Sequence, residues 1–377
     1  MCGHRAPWPD AGLIRAAAAT AGRHALHADV SGSLSPETVA ALAAAGFPGC
    51  FVPEPLGGAG ATFGAATRAV AAIGEECAAA AWTASVWAYS GRGGAFLPAE
   101  GRAEIWAKNP QARLVSSTAA CGVRAAPVAG GWLLSGAWRC AGGAESADWA
   151  LLSSAVPRTG DRSVLMFAVA RGSFTLAHCG ESSMLGIRAA GRQTLVVERA
   201  FVPEHRAFVW DDMRRGRPAG PATTARLAPL SAVTGLAFAT PILGAARGAL
   251  RLAEERLAVR PRRSAARSSV RMPGRVAFAR SAAEIDAAAL LLFRVAEDAD
   301  MCRSDDTPTA RGRRDSALAA ELLTAAVDRL FRSAGSQGRA SSHAMQRIWR
   351  DVHAAGAYNA LRFESATIGD ARGLLSV

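Results

Sequence analysis

Residues Leu185–Phe208 read LGIRAAGRQTLVVERAFVPEHRAF. Gly186 and Gly191 punctuate its start, and Thr194–Val202 forms a run rich in aliphatic and β-branched residues. Pro203 then ends that run, which is the pattern of a β-strand bounded by turns. Upstream, Gly130–Leu152 reads GGWLLSGAWRCAGGAESADWALL, two further apolar runs around a glycine-rich turn. RLVSST before it and SVLMFAVA after it have the same character. The middle of the chain is therefore a block of short strands, from near Arg113 to near Val209.

On both sides of this block the period changes to that of helices. Ser35–Pro36–Glu37 is a helix start, with a capping serine, proline at the first helical position and an early acid. Gly46 closes that helix. Pro53–Ala61, PEPLGGAGA, is a turn-rich break, and a second apolar helical run is expected from about Phe63 to Ala81. From about Thr223 onward, apolar residues recur at three- and four-residue spacing, enough for four long helices. The expected fold class is α+β, mostly α. Its parts are an N-terminal helical domain (1–112), a middle β-barrel domain (113–210) and a C-terminal four-helix bundle (222–377).

Composition narrows the function. The chain has 377 residues, half of them apolar, ample for a large core. Its net charge is +12, with Lys108 the sole lysine, so the excess is arginine. Most arginines lie among acids, and no aromatic-basic interleaving accompanies the one cluster, Arg260–Arg275, so nucleic-acid binding is not expected. Seven widely spaced cysteines without a C-x-x-C pair indicate neither a zinc site nor a disulfide framework, and they fit a reducing compartment. The N-terminus lacks the apolar core of a signal peptide, and apolar stretches are interrupted before membrane length. A cytoplasmic location without membrane attachment is expected. The histidines show no metal-ligand spacing, and no G-x-G-x-x-G or G-x-x-x-x-G-K motif is present.

The helix–strand–helix order, with Phe47–Pro48, Val52–Pro53–Glu54, Gly57–Gly58–Ala59–Gly60, Gly130–Gly131–Trp132, Ala147–Asp148 and Arg350–Asp351 in sequence, resembles the acyl-CoA dehydrogenase superfamily. Met345–Ala355, MQRIWRDVHAA, and Ser116–Ser117 ahead of Pro127–Val128 resemble its two-component flavin-dependent monooxygenase branch. That resemblance implies reduced flavin (FMNH2 or FADH2) and O2 as reactants, supplied by a separate flavin reductase. It also implies a homotetramer and a small-molecule substrate, aromatic, polyketide-type or amine-bearing, in secondary metabolism.

Residue by residue, the resemblance implies the following. Dehydrogenases of the family carry a catalytic glutamate eight residues after the late aspartate, and here that residue is Asn359, which accepts no proton at neutral pH. Phenol hydroxylases of the branch carry a histidine one residue earlier, where Tyr358 stands, and another where Ser90 stands. Ser90, Ser117, Tyr358 and Asn359 are the catalytic candidates. Ser116, Trp138, Cys140, Ala141 and Gly142 are candidates for the flavin ring, with a barrel-core position the alternative for Trp138. Arg260 and Arg263 are candidates for flavin phosphate, and Gly335 and Gln337 for the flavin tail of a neighbouring subunit. His353 reads as a structural histidine of the bundle. The competing function is a flavin dehydrogenase or oxidase acting on a thioester.

Overall fold

A computed structural model describes residues 8–140, 142–158, 161–178, 184–191, 193–218, 224–259, 268–301, 307–338, 340 and 343–364. Among these, five helices come first: α1 (Ala11–Ser31), α2 (Pro36–Ala44), α3 (Phe63–Glu76), α4 (Ala78–Gly94) and α5 (Ala99–Trp106). Ser35 caps α2 as expected, its hydroxyl accepting from Thr38 N. Gly46, at φ +83°, follows that helix. The apolar run from Phe63 is two helices rather than one, because Cys77 adopts an extended backbone (φ −154°) between them. Before that junction α3 packs closely on a later helix: a side chain at Gly74 would strike Pro241 O at 2.9 Å.

Eight described strands follow: β1 (Leu114–Ser117), β2 (Ala119–Val128), β3 (Gly131–Arg139), β4 (Trp149–Arg158), β5 (Asp161–Ala170), β6 (Thr175–His178), β7 (Gln193–Pro203) and β8 (Ala207–Val209). They form two four-stranded sheets, ordered β1-β4-β5-β8 and β2-β3-β7-β6. The chain leaves the first sheet at Ser117 and enters the second at Ala119. β2, β6 and β8 carry no clear alternating signal in the sequence. β2 is mostly exposed on both faces, and β6 and β8 are only four and three residues long.

The last part comprises α6 (Trp210–Arg215), α7 (Thr224–Leu227), α8 (Leu230–Val259), α9 (Ser268–Asp300), α10 (Thr307–Ser333), α11 (Gly335–Gly338) and α12 (Ala344–Gly356). The four long helices anticipated are α8, α9, α10 and α12. Leu230–Ala258 is in fact long and apolar enough to span a membrane, contrary to the reading that every apolar stretch is interrupted. Its most apolar window is 78% buried inside the protein, so its apolarity is that of a core helix.

Two acids tie the bundle to the rest. Asp300 accepts from the N–H groups of Phe63 (2.6 Å) and Gly64 (2.9 Å), capping α3 from the end of α9. Asp351 accepts from Ile187 N. Beside it, Arg350 pairs with the buried Asp29 of α1 and donates to Leu185 O. Gly186 is required there, since a Cβ would lie 2.2 Å from Arg350 O.

Candidate active site

A cavity of about 350 Å³ opens where α4, β1, α8 and the segment after α12 converge. Ser90, Ser116, Ser117, Tyr358 and Asn359 all line it, so residues chosen from three distant segments meet in one place. Ser90 Oγ donates to Ser116 Oγ at 3.1 Å. Ser117 is engaged otherwise: its hydroxyl donates to Arg139 O at 2.6 Å and accepts from Ala119 N at 3.2 Å. It therefore pins the crossing between the sheets, and Ser116 presents the hydroxyl that serves the cavity.

One wall is aromatic. Tyr358 lies 4.1 Å from Phe238 and 5.6 Å from Trp82, ring centre to ring centre, and Trp82 lies 5.1 Å from Phe238. Trp82 is buried and holds the cluster against solvent. Tyr89, on the same helix as Ser90, packs edge-on against Phe51 at 5.2 Å. Burial pushes its phenol far above the ordinary range, against the partial opposition of Arg92, so it stays neutral. Arg92 is itself fully buried, donating to the carbonyls of Ala225 (2.6 Å) and Ala228. Asn359 is exposed at the cavity's edge.

A second cavity, about 440 Å³, shares Thr118 and Trp210 with the first and is floored by Ala120, Ser153, Ser154 and Ala155. Small side chains on a strand surface, with the buried Ser153 and Ser154 among them, fit a planar tricyclic ring. The combined space falls in the range of a cofactor-plus-ligand site. The residues present therefore fit a flavin, with Ser116, Thr118 and the Ser153–Ser154 stretch of β4 around the ring.

The other candidates for the ring are placed differently. Trp138 is fully buried between the sheets, its indole donating to Ser153 O at 2.8 Å, which is the barrel-core position. β3 ends at Arg139, so the strand does not run on to Gly142. The N–H of Cys140 donates to Gln193 O at 2.8 Å and is not turned toward a ligand. Gly142 (φ +150°) allows close approach to Ala190 O, which a Cβ would meet at 2.8 Å. Ala141, Arg260 and Arg263 lie outside the described residues, as does the side chain of Gln337. Gly335 (φ +71°) borders a third cavity, about 700 Å³, with Arg256, Phe278 and Met345.

His353 Nδ1 is 2.8 Å from Trp349 O, one turn back in α12, and its ring packs on Trp349 at 4.3 Å. That is a structural role. Sequence reasoning missed Tyr89, Arg139, Thr118 and Phe238 as cavity residues. Alternation along β3 was the available signal for Arg139: with Trp138 facing the core, its neighbour faces the other side. Among the described residues no cluster of His, Cys, Asp or Glu could hold a metal ion.

Known proteins share this fold. The family model for the acyl-CoA dehydrogenase N-terminal domain matches residues 13–101, and that for the acyl-CoA dehydrogenase C-terminal domain matches residues 236–363. The chain is 30% identical over 336 residues to the flavin-dependent monooxygenase, oxygenase subunit HsaA, of Mycobacterium tuberculosis, covering 85% of this chain and 84% of the relative. It is 29% identical over 352 residues to the FADH2-dependent resorcinol hydroxylase, oxygenase component, of a Rhizobium species, covering 87% and 84%. The crystal structure of 3-HSA hydroxylase from a Rhodococcus species superposes with a TM-score of 0.90 at 25% identity, over 97% of this chain and 96% of that one. A cavity of serine and tyrosine hydroxyls beside a strand surface, on this fold and with these relatives, makes the chain a member of the acyl-CoA dehydrogenase family and, within it, of the flavin-dependent monooxygenases.

Proposed function

We propose that this protein is the oxygenase component of a two-component system that hydroxylates an aromatic, polyketide-type or amine-bearing small molecule in secondary metabolism. Reduced FMN or FAD comes from a separate reductase, the oxygenase works in the cytoplasm, and four copies assemble into the active homotetramer. The observation that carries the reading is the cavity's composition. Asn359 stands at its edge where a dehydrogenase needs a carboxylate, and no Asp or Glu is among the described residues lining it. Among these described residues, removal of a substrate α-proton has no carboxylate to accept it.

A bound reduced flavin supplies two electrons and activates dioxygen for transfer of one oxygen atom. The chain's own residues do the rest. Trp82, Phe238 and Tyr358 exclude water from the reacting face. Ser90 orders Ser116, whose hydroxyl is left to donate toward the cofactor or substrate. Tyr89, held neutral, donates and does not accept a proton. Ser117 keeps the sheet crossing, and hence Thr118 and Ser116, in register.

The test supplies purified protein with reduced FMN or FAD, 18O2 and a panel of phenols, hydroxylated polyketides and amino sugars. One 18O atom per product, detected by mass spectrometry, is expected. Flavin oxidised as fast as in buffer, with no labelled product, overturns the reading. The competing dehydrogenase or oxidase shows itself as tightly held oxidised FAD that a thioester bleaches without reductase.

A further inference from the structure

The polar walls of the 350 Å³ cavity consist of serine, threonine and tyrosine hydroxyls, one carboxamide (Asn359) and one guanidinium (Arg139). Among the described lining residues, Arg139 is the sole charged side chain, and neither carboxylate nor imidazole is present. The backbone of Arg139 is fixed twice, by Ser117 donating to its carbonyl and by its pairing with Ala119. Its side chain is exposed and has no acceptor among the described residues. The two tyrosines, the carboxamide and the guanidinium all donate. The cavity is built for an electron-rich, acceptor-bearing ligand.

Electrophilic oxygen transfer to an arene is fast when a ring hydroxyl is ionised, because the oxyanion feeds electron density into the ring. The described residues lining this cavity include no carboxylate or imidazole to take that proton. A fixed cation achieves the same end, since an opposite charge a few ångströms away lowers an acid's pKa by about 1–3 units. We propose that Arg139 is the specificity-determining residue of this oxygenase. It selects a substrate with an acidic hydroxyl, a phenol or the enol of a 1,3-dicarbonyl, and holds it as the oxyanion. The proton of the hydroxyl goes to solvent at the mouth of the cavity, where Arg139 and Asn359 are exposed, away from the face that the aromatic wall keeps dry. No bond to the protein forms, and no redox change accompanies this ionisation. The inference rests on the oxygenase reading above and names the substrate class for that site.

Other titratable and charged groups around the cavity do not compete for this role. Tyr89 on α4 is kept neutral by burial. Arg92, behind it, is bound to the carbonyls of Ala225 and Ala228. Tyr358 is packed on Phe238 and Trp82. On α6, Asp211 is paired with Arg214 and Arg215. Just past β3, the thiol of Cys140 is turned to Gly142 O at 3.3 Å. From α12, His353 is bound to Trp349 O and Asp351 to Ile187 N.

The experiment titrates the full-length protein, anaerobically and with reduced FAD present, with 4-nitrophenol, whose phenol and phenolate forms differ in absorbance. In the wild type the bound probe should ionise at least one pH unit below its value in buffer, a tenfold preference for the anion. Arg139→Met should remove the shift and weaken phenolate binding at least tenfold, Arg139→Lys should keep part of both, and Arg124→Met on the exposed hairpin should change neither. A wild type that binds reduced FAD but takes the probe neutral, or not at all, overturns the proposal alone. So does an Arg139→Met variant with the wild-type shift, or one that loses reduced FAD while keeping the shift, which assigns Arg139 to the cofactor. A wild type binding neither reduced FAD nor reduced FMN overturns the oxygenase reading and the proposal with it.

Discussion

The carboxylate of Asp351 accepts a 2.6 Å hydrogen bond from the backbone N–H of Ile187, a partner 164 residues earlier in the chain. Ile187, at φ +47°, is the one described non-glycine residue in the left-handed region, a conformation costing about 1–2 kcal/mol. The neighbouring Arg350 forks onto Asp29, with contacts of 2.5 and 3.1 Å, and donates to Leu185 O at 2.8 Å. Two adjacent residues of α12 thus clamp α1 and the strained LGIR turn together, two residues from His353 and a few before Tyr358 enters the cavity.

Burial raises the Asp351 carboxyl from 3.8 to about 6, with the Ile187 N–H opposing. The folded state therefore binds more protons than the unfolded state between those values. This group's contribution to stability is full below about pH 4 and is lost as pH rises through about 6. Asp351→Asn removes that dependence while keeping an acceptor for Ile187. Relative to wild type, the variant should gain up to roughly 3 kcal/mol between pH 4 and pH 7.5. Urea denaturation at the two pH values measures it, and an unchanged difference would refute it.

Gly186→Ala places a methyl group 2.2 Å from Arg350 O, and only displacement of the turn relieves the clash. A loss of about 3 kcal/mol is expected. Asp29→Asn should cost about as much, because it leaves Arg350, only 8% exposed, short of its counter-charge. Thermal melts of both variants check these values.

Ser116 and Ser117 are neighbours with separable consequences. Ser117→Ala loses a bond to Arg139 O and an acceptor for Ala119 N, and should lower stability by about 1–2 kcal/mol. Ser116→Ala removes the acceptor of Ser90, whose hydroxyl can turn to the cavity instead, and should cost less than about 1 kcal/mol while lowering kcat by about 10²-fold, as loss of one oriented donor does. Equal melting temperatures for the two variants would contradict the assignment.

Tyr358→Phe keeps the ring 4.1 Å from Phe238 and removes only the hydroxyl. Its expected effect is a fall in kcat of about tenfold or more with stability within about 1 kcal/mol. Trp82→Ala should cost about 3–5 kcal/mol by opening the buried aromatic wall, and should divert more oxygen to hydrogen peroxide. Product and peroxide yields, measured side by side, distinguish the two effects.

What the sequence made legible had local causes. The cap at Ser35, the turn-bounded apolar runs of β3, β4 and β7 and the periodicity of α8–α10 each arise within a few residues. The break at Cys77 did not show, because no glycine or proline stands at it and the alanines that follow continue a helical run. The short or exposed strands β2, β6 and β8 left no pattern to read. Trp138 was ambiguous between core and cofactor until its indole was seen to bond Ser153 O between the sheets.

By itself the sequence determined the order of helices, strands and bundle, the family motifs, and the replacement of the expected acid and histidines by Asn359, Tyr358 and Ser90. Periodicity and motif order are properties of neighbouring residues, so a linear text carries them. The tertiary structure alone decided that Ser90, Ser116, Arg139 and Tyr358 share one cavity, that Ser117 is tied into the sheet crossing, and that Arg139 is the one charged side chain among the described residues lining that cavity. Those outcomes depend on long-range packing and on which polar groups find partners, and neither is written in any single stretch of the chain.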